Sequence, residues 1–225
     1  MTHPPKPTGD AVHLWTFDVD ALAVRVDEFA SILSASERSR AQTFLDAVVR
    51  DRFIMRRGLL RRTLGGYLGR DPAWLVFNDG PDGKPALSGA DDISFNLSAS
   101  ENALVIAIDD GREVGVDIER RRAINDMGGM AERFLSPFEA AYLDGLEPDI
   151  RTDAFWTVWT CNEAVVKALG LGLRAGLRNF TVDCSEIATP RVIGVPGMHL
   201  QAWRSDGGFQ AALATPFVAA PVFMT

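Results

Sequence analysis

The stretch GVDIE, residues 115–119, alternates apolar and acidic side chains. In an extended strand Val114, Val116 and Ile118 face one way, and Asp117 and Glu119 face the other, roughly 6.5–7 Å apart. Two like charges so close repel unless something positive lies between them. A hard divalent cation with oxygen ligands, most simply Mg2+, would satisfy both. An edge strand with one wet face, its acids balanced by Arg120, Arg121 and Arg122, would give the same pattern. The second chemical stretch is WTCNEAVVKALG, residues 159–170. At helical spacing Trp159, Glu163 and Lys167 share a face, beside an apolar stripe of Val158, Cys161, Val165 and Leu169. Glu four residues before Lys is also the favoured order for a plain helical ion pair, contributing about 0.2–0.5 kcal/mol. Lys167 is one of only three lysines, with Lys6 and Lys84. Either this is an ordinary pair, or Glu163 is the third carboxylate that a tightly held cation needs.

The elements that must carry these residues can be read in outline. Residues 11–19 alternate loosely and predict a first strand. SASE at 34–37 is a capping box, with Ser34 reaching forward and Glu37 reaching back. A long helical pattern follows, through Phe44, Val48, Phe53, Leu59, Leu60, Leu64 and Leu68, and ends near Gly65-Gly66 or Gly69. DGPDGKP at 79–85 is turn-forming. Strands are expected at 93–98, 103–108 and 114–119. SPFE at 136–139 is a second capping box, with Pro137 at the first helical position. Asp153 is expected to open the helix bearing Glu163, and Gly170 and Gly172 to close it. Short strands follow near 180–184, 198–204 and 209–214. Strand, helices, strands therefore appears twice, which predicts an α+β protein of two similar lobes without a visible sequence repeat. The division is expected at residues 1–112 and 113–225, with the first ten and last eight or so residues loosely held.

At 225 residues and 47% apolar the chain can bury a substantial core. A net charge of −7 excludes a general nucleic-acid binder. Yet residues 37–70 hold nine arginines against three acids, a segment of +6 in an acidic protein. Arginine forks suit phosphate oxygens, so an anionic ligand accounts for the cluster at least as well as a solvated face does. The start MTHPPKPTGD has no apolar region of a secretory signal, and no apolar run is long enough to span a bilayer. Cys161 and Cys184, without Cys-x-x-Cys, argue against a disulfide framework or thiolate zinc site. Cytoplasmic residence is expected. The three histidines are scattered, so no triad is supported. The five tryptophans are expected in the core or between lobes.

Together GVDIE and WTCNEAVVKALG resemble the Sfp-type 4'-phosphopantetheinyl transferases, which carry G-[IV]-D-[IVL]-E and, later, W-[ST]-x-K-E-[AS]-x-x-K-x-x-G. GKP at 83–85, FNLSAS at 95–100 and RFLSPFEAAYL at 133–143 resemble weaker family stretches in the right order. The resemblance implies a pseudo-twofold fold with coenzyme A and Mg2+, or Mn2+, in the cleft between lobes. It implies transfer of 4'-phosphopantetheine to a serine of an apo acyl or peptidyl carrier protein, releasing adenosine 3',5'-bisphosphate. By position Asp117, Glu119 and Glu163 would hold the metal, and Lys84 and Ser98 would touch the coenzyme's phosphates. Arg40, with Arg52 or Arg57, would reach the 3'-phosphate. Glu163, or a water it orients, would take the serine proton, and Lys167 would neutralise the breaking phosphate bond. Such enzymes serve carriers of fatty-acid, polyketide, peptide-synthetase or lysine-pathway type, and a monomer is the default for an internally duplicated fold. Two positions depart from the pattern: Ala99 replaces a histidine, and Asn162 a lysine, removing a charge beside Glu163. A transfer-inactive homologue that only binds coenzyme A or a carrier is the alternative they raise. Restoring the lysine by Asn162→Lys is expected to raise transfer.

Overall fold

The computed structural model describes residues 4–79, 85–89, 92–171, 177–186 and 189–224. The first half runs from strand β1 (Ala11–Asp18) through helices α1 (Val26–Ser31), α2 (Ala35–Gln42) and α3 (Ala47–Leu68). Strands β2 (Phe77–Asp79) and β3 (Pro85–Leu87) pair with each other, and β4 (Ser94–Ser100) and β5 (Ala103–Asp109) form a hairpin. The second half runs from β6 (Gly115–Arg120) through α4 (Met127–Phe134), α5 (Pro137–Asp144) and α6 (Pro148–Ala168) to β7 (Thr181–Asp183), β8 (Arg191–Ile193), β9 (His199–Ser205) and β10 (Phe209–Thr215). A last strand, β11 (Ala220–Met224), ends the described chain.

The two halves repeat one plan. In the first, β5 lies between β1 and β4; in the second, β10 lies between β6 and β9, and all four pairings are antiparallel. Each half adds one long helix, α3 or α6, with its own core: Leu59, Leu60 and Leu64 in the first, Phe155, Val158 and Val165 in the second. A third core, including Leu14, Val105, Val116, Ile118 and Leu213, joins the two sheets. The architecture is α+β with two similar halves. Among the described residues no helix is long and apolar enough to cross a membrane.

Both expected capping boxes are formed. Ser34 Oγ accepts from Glu37 N at 3.2 Å while Glu37 Oε2 accepts from Ser34 N at 2.9 Å. Ser136 and Glu139 exchange the same bonds. Three expectations are corrected. The helical run after Ser34 is two helices, because Asp46 starts α3 afresh by accepting from Val48 N and Val49 N. Its end is as expected: Gly69 takes the left-handed φ of 60° that a side chain resists. The helix of Glu163 opens at Pro148, not at Asp153, since proline suits the first helical position. Asp153 is instead inside α6, paired with Arg121 and Arg204. The chain end is a strand: β11 pairs parallel with β1, from Ala11 with Ala220 to Trp15 with Met224. The last strand thus belongs to the first sheet, and a boundary at 112/113 does not contain it. Cys161 and Cys184 are buried free thiols. Among the tryptophans, Trp156 is buried, but Trp74 is 81% exposed and lies outside any core.

Candidate active site

The site forms where β6 meets α6 and β4. Gly115 makes the first contact possible. A Cβ there would stand 2.1 Å from the Ala164 carbonyl oxygen and 2.4 Å from Ala168 N, so only glycine lets β6 lie this close to α6. Ala164 and Ala168 are themselves small. Lys167, beside them, therefore reaches β6, donating to Asp117 Oδ1 at 2.7 Å and to the Val116 carbonyl at 3.3 Å.

The second contact is a side-chain ladder. β4 and β6 lie in different sheets, and alternate β4 residues bridge them. Asn96 Oδ1 accepts from Val116 N at 3.0 Å, Ser98 Oγ donates to Asp117 Oδ1 at 2.7 Å, and Ser100 Oγ donates to Glu119 Oε2 at 2.7 Å. Ser100 Oγ also accepts from Arg120 N at 3.1 Å. The expected face for Asp117 and Glu119 is thus present, but it is a seam between halves, not a wet edge. Asp117 is 2% exposed and Glu163 6%.

This seam is short of positive charge. Asp117 Oδ1 is held by Ser98 and Lys167, whereas among the described residues Asp117 Oδ2 is buried and accepts no hydrogen bond. Burial pushes the Glu163 carboxyl up to about 7, with the Asp117 charge adding to the rise and Lys167 opposing it. Burial also raises Glu119, against the hydrogen bond from Ser100. Lys167 hydrogen-bonds Asp117 and also opposes the rise of Glu119 and Glu163. Among the described residues no three or more His, Cys, Asp or Glu side chains converge as a ready-made metal site. Asp117, Glu119 and Glu163 act on one another through charge.

The arginines separate. Arg52 is bound to Asp20 at 2.6 Å and Arg57 to Glu37 at 2.6 Å, so two of the three arginines expected at the 3'-phosphate already hold carboxylates. Arg40 is exposed, its guanidinium 5.6 Å from the Phe53 ring centroid. It lines a groove of about 680 Å³ with Arg57, Arg61, Trp74 and Phe77. Ser98 faces Asp117. Lys84 lies outside the described residues. Ala99 packs on the first core, on the opposite face of β4 from Ser98 and Ser100. Asn162 is fully buried and bonds Glu139 at 2.7 Å, not the groove or the seam.

Asn96, Ser100 and Gly115 went unassigned on sequence, although the Asn-x-Ser-x-Ser alternation of β4 was a usable signal: polar residues at period two beside an apolar strand imply a polar face.

The comparisons with known proteins agree on one family. The profile of the 4'-phosphopantetheinyl transferase superfamily matches residues 113–214. The chain is 34% identical to the 4'-phosphopantetheinyl transferase HetI of Nostoc sp. over 219 residues, 95% of this chain and 92% of that protein. It is 31% identical to a 4'-phosphopantetheinyl transferase of Bacillus subtilis over 69% of this chain and 68% of that one. Against 4'-phosphopantetheinyl transferase Sfp of Bacillus subtilis the identity is 26%, over 83% and 84%. Among solved structures, a holo-(acyl-carrier-protein) synthase of Bacillus anthracis in complex with coenzyme A matches 45% of this chain and 92% of its own, with 24% identity and a TM-score of 0.39. The chain belongs to the 4'-phosphopantetheinyl transferase family, a family of transferases.

Proposed function

We propose that this chain transfers 4'-phosphopantetheine from coenzyme A to a serine of an apo acyl or peptidyl carrier protein, as a cytoplasmic monomer using a divalent cation. The observation that carries this reading is the charge balance of the seam. A buried Asp117 oxygen accepts nothing, and two neighbouring carboxyls hold their protons unusually well. That set of hard oxygen donors fits Mg2+, or Mn2+, with Asp117, Glu119 and Glu163 as the residues that would hold it. When bound, such an ion neutralises the oxygens of a diphosphate.

The chain's own residues supply the rest. Lys167 fixes one Asp117 oxygen and adds a positive charge where a phosphate would depart. Ser98 and Ser100 hold Asp117 and Glu119 in one orientation each. Glu163 is the carboxylate placed to accept a proton, directly or through a water. The serine oxygen attacks the β-phosphoryl group and its proton passes to Glu163 or to a water that Glu163 orients. The bond to the adenosine phosphate breaks, releasing adenosine 3',5'-bisphosphate. Arg40, with no carboxylate bound to it among the described residues, would meet the 3'-phosphate.

Incubation with coenzyme A, Mg2+ and several apo carriers, read by mass spectrometry, tests this. Phosphopantetheine mass is expected on at least one carrier and is expected to vanish with EDTA. Saturable coenzyme binding without mass gain would instead identify a binding homologue.

A further inference from the structure

Helix α6 carries a buried polar residue that the proposed chemistry does not use. Asn162 is 0% exposed, and its Nδ2 donates to Glu139 Oε1 at 2.7 Å and to the Val158 carbonyl at 2.9 Å. Glu139 is also 0% exposed. Its carboxylate accepts from Ser136 N at the start of α5 and from Val182 N on β7, each at 2.7 Å. Among the described residues no Lys, Arg or His forms an ion pair with it. One buried carboxylate therefore ties three elements together through neutral donors, and among the described residues Asn162 is its one donor from α6. The amide keeps this bond although its own Oδ1 is left buried without a partner. An orphan acceptor is costly, so the donor on Glu139 decides the orientation.

Asn162 and Glu163 are neighbours, so their side chains leave the helix about 100° apart. Asn162 faces α5 and β7; Glu163 faces β6. A directional bond on one side therefore sets the roll that places the other. We infer that Asn162 is a positioning residue, whose bond to Glu139 fixes the roll of α6 and thereby holds Glu163 beside Asp117. This rests on the transferase reading for its kinetic consequence and on the hydrogen bonds of Asn162 and Glu139 for the rest. A misplacement of about 1 Å at a reacting group costs roughly 10²-fold in rate.

The test compares Asn162→Leu with the double variant Glu139→Met/Asn162→Leu. The single change leaves a buried carboxylate short of a donor, so a lower Tm is expected. Its kcat for carrier loading should fall about tenfold or more while the KM for coenzyme A moves less than about twofold. The double variant removes both polar partners and should regain Tm. If Asn162 positions Glu163, kcat stays low in the double variant; if kcat returns with Tm, Asn162 only fills the core and the inference is overturned. A wild-type protein that loads none of several carriers would sink the transferase reading instead. The inference is then decided by Mn2+ titration of the coenzyme A complex followed by spin resonance. Asn162→Leu should weaken Mn2+ about tenfold without recovery in the double variant, and an unchanged Mn2+ affinity overturns it.

Discussion

The molecule buries carboxylates in two places and treats them in opposite ways. Under α2, burial alone would push the Glu37 carboxyl up, but Arg61, the Ser34 N–H and Arg57 outweigh it and hold Glu37 below its ordinary value. Arg61, 1% exposed, binds Glu37 Oε2 at 2.6 Å and spends its other donors on the Pro72 and Leu75 carbonyls at 2.9 and 3.0 Å. Every charge there has a fixed partner. At the seam, among the described residues, one Asp117 oxygen has no donor, and Glu163 rises to about 7. The Glu37 cluster builds the fold. Among the described residues the Asp117 cluster lacks that kind of satisfaction, which is what the proposed cation would supply. Arginine-rich segments are thus not evidence of anion binding until their carboxylates are counted: Arg52 pairs with Asp20 and Arg57 with Glu37, whereas among the described residues no carboxylate pairs with Arg40.

This contrast can be broken at four points. The largest effect is expected at the seam, where Glu163→Gln should lower carrier loading by about 10²–10⁴-fold. The same variant should keep or raise Tm, because it removes an under-compensated charge; a lower Tm would place Glu163 with the scaffold carboxylates. Next, Arg61→Ala breaks a buried pair and should cost about 3–5 kcal/mol in chemical denaturation. Loss of less than about 1 kcal/mol would show that Glu37 is satisfied without it.

The third point is pH. Glu163 binds its proton more tightly folded, near 7, than at its ordinary 4.5. Its contribution to stability is therefore complete below about 4.5 and is lost as pH rises through about 7. Metal-free protein should melt a few degrees lower at about pH 8 than at about pH 5, and Glu163→Gln should flatten that slope. Mg2+ with coenzyme A should restore Tm at the higher pH alone. The smallest effects separate the arginines. Arg40→Ala should raise the KM for coenzyme A about tenfold, as loss of one charge-assisted bond would. Arg52→Ala, whose partner is Asp20, should move it less than about twofold. Asn162→Lys should likewise leave that KM unchanged, because position 162 faces Glu139.

Local chemistry made much of this legible in the sequence. Strand alternation placed Asp117 and Glu119 on one face, helical spacing placed Glu163 and Lys167 on another, and two capping boxes marked where α2 and α5 begin. Those signals depend only on neighbours within four residues, so they survive without a fold. What the tertiary structure decided depends on residues far apart. Gly115 brings β6 onto Ala164 and Ala168, which turns Lys167 toward Asp117. Asn96, Ser98 and Ser100 meet β6 across two sheets. Asp20 and Glu37 claim two arginines, Glu139 claims Asn162, and Ala220–Met224 closes the first sheet from the far end of the chain. Spacing fixes which side chains share a face. Only packing fixes which charge faces which, because burial makes each pairing depend on every group brought out of water with it.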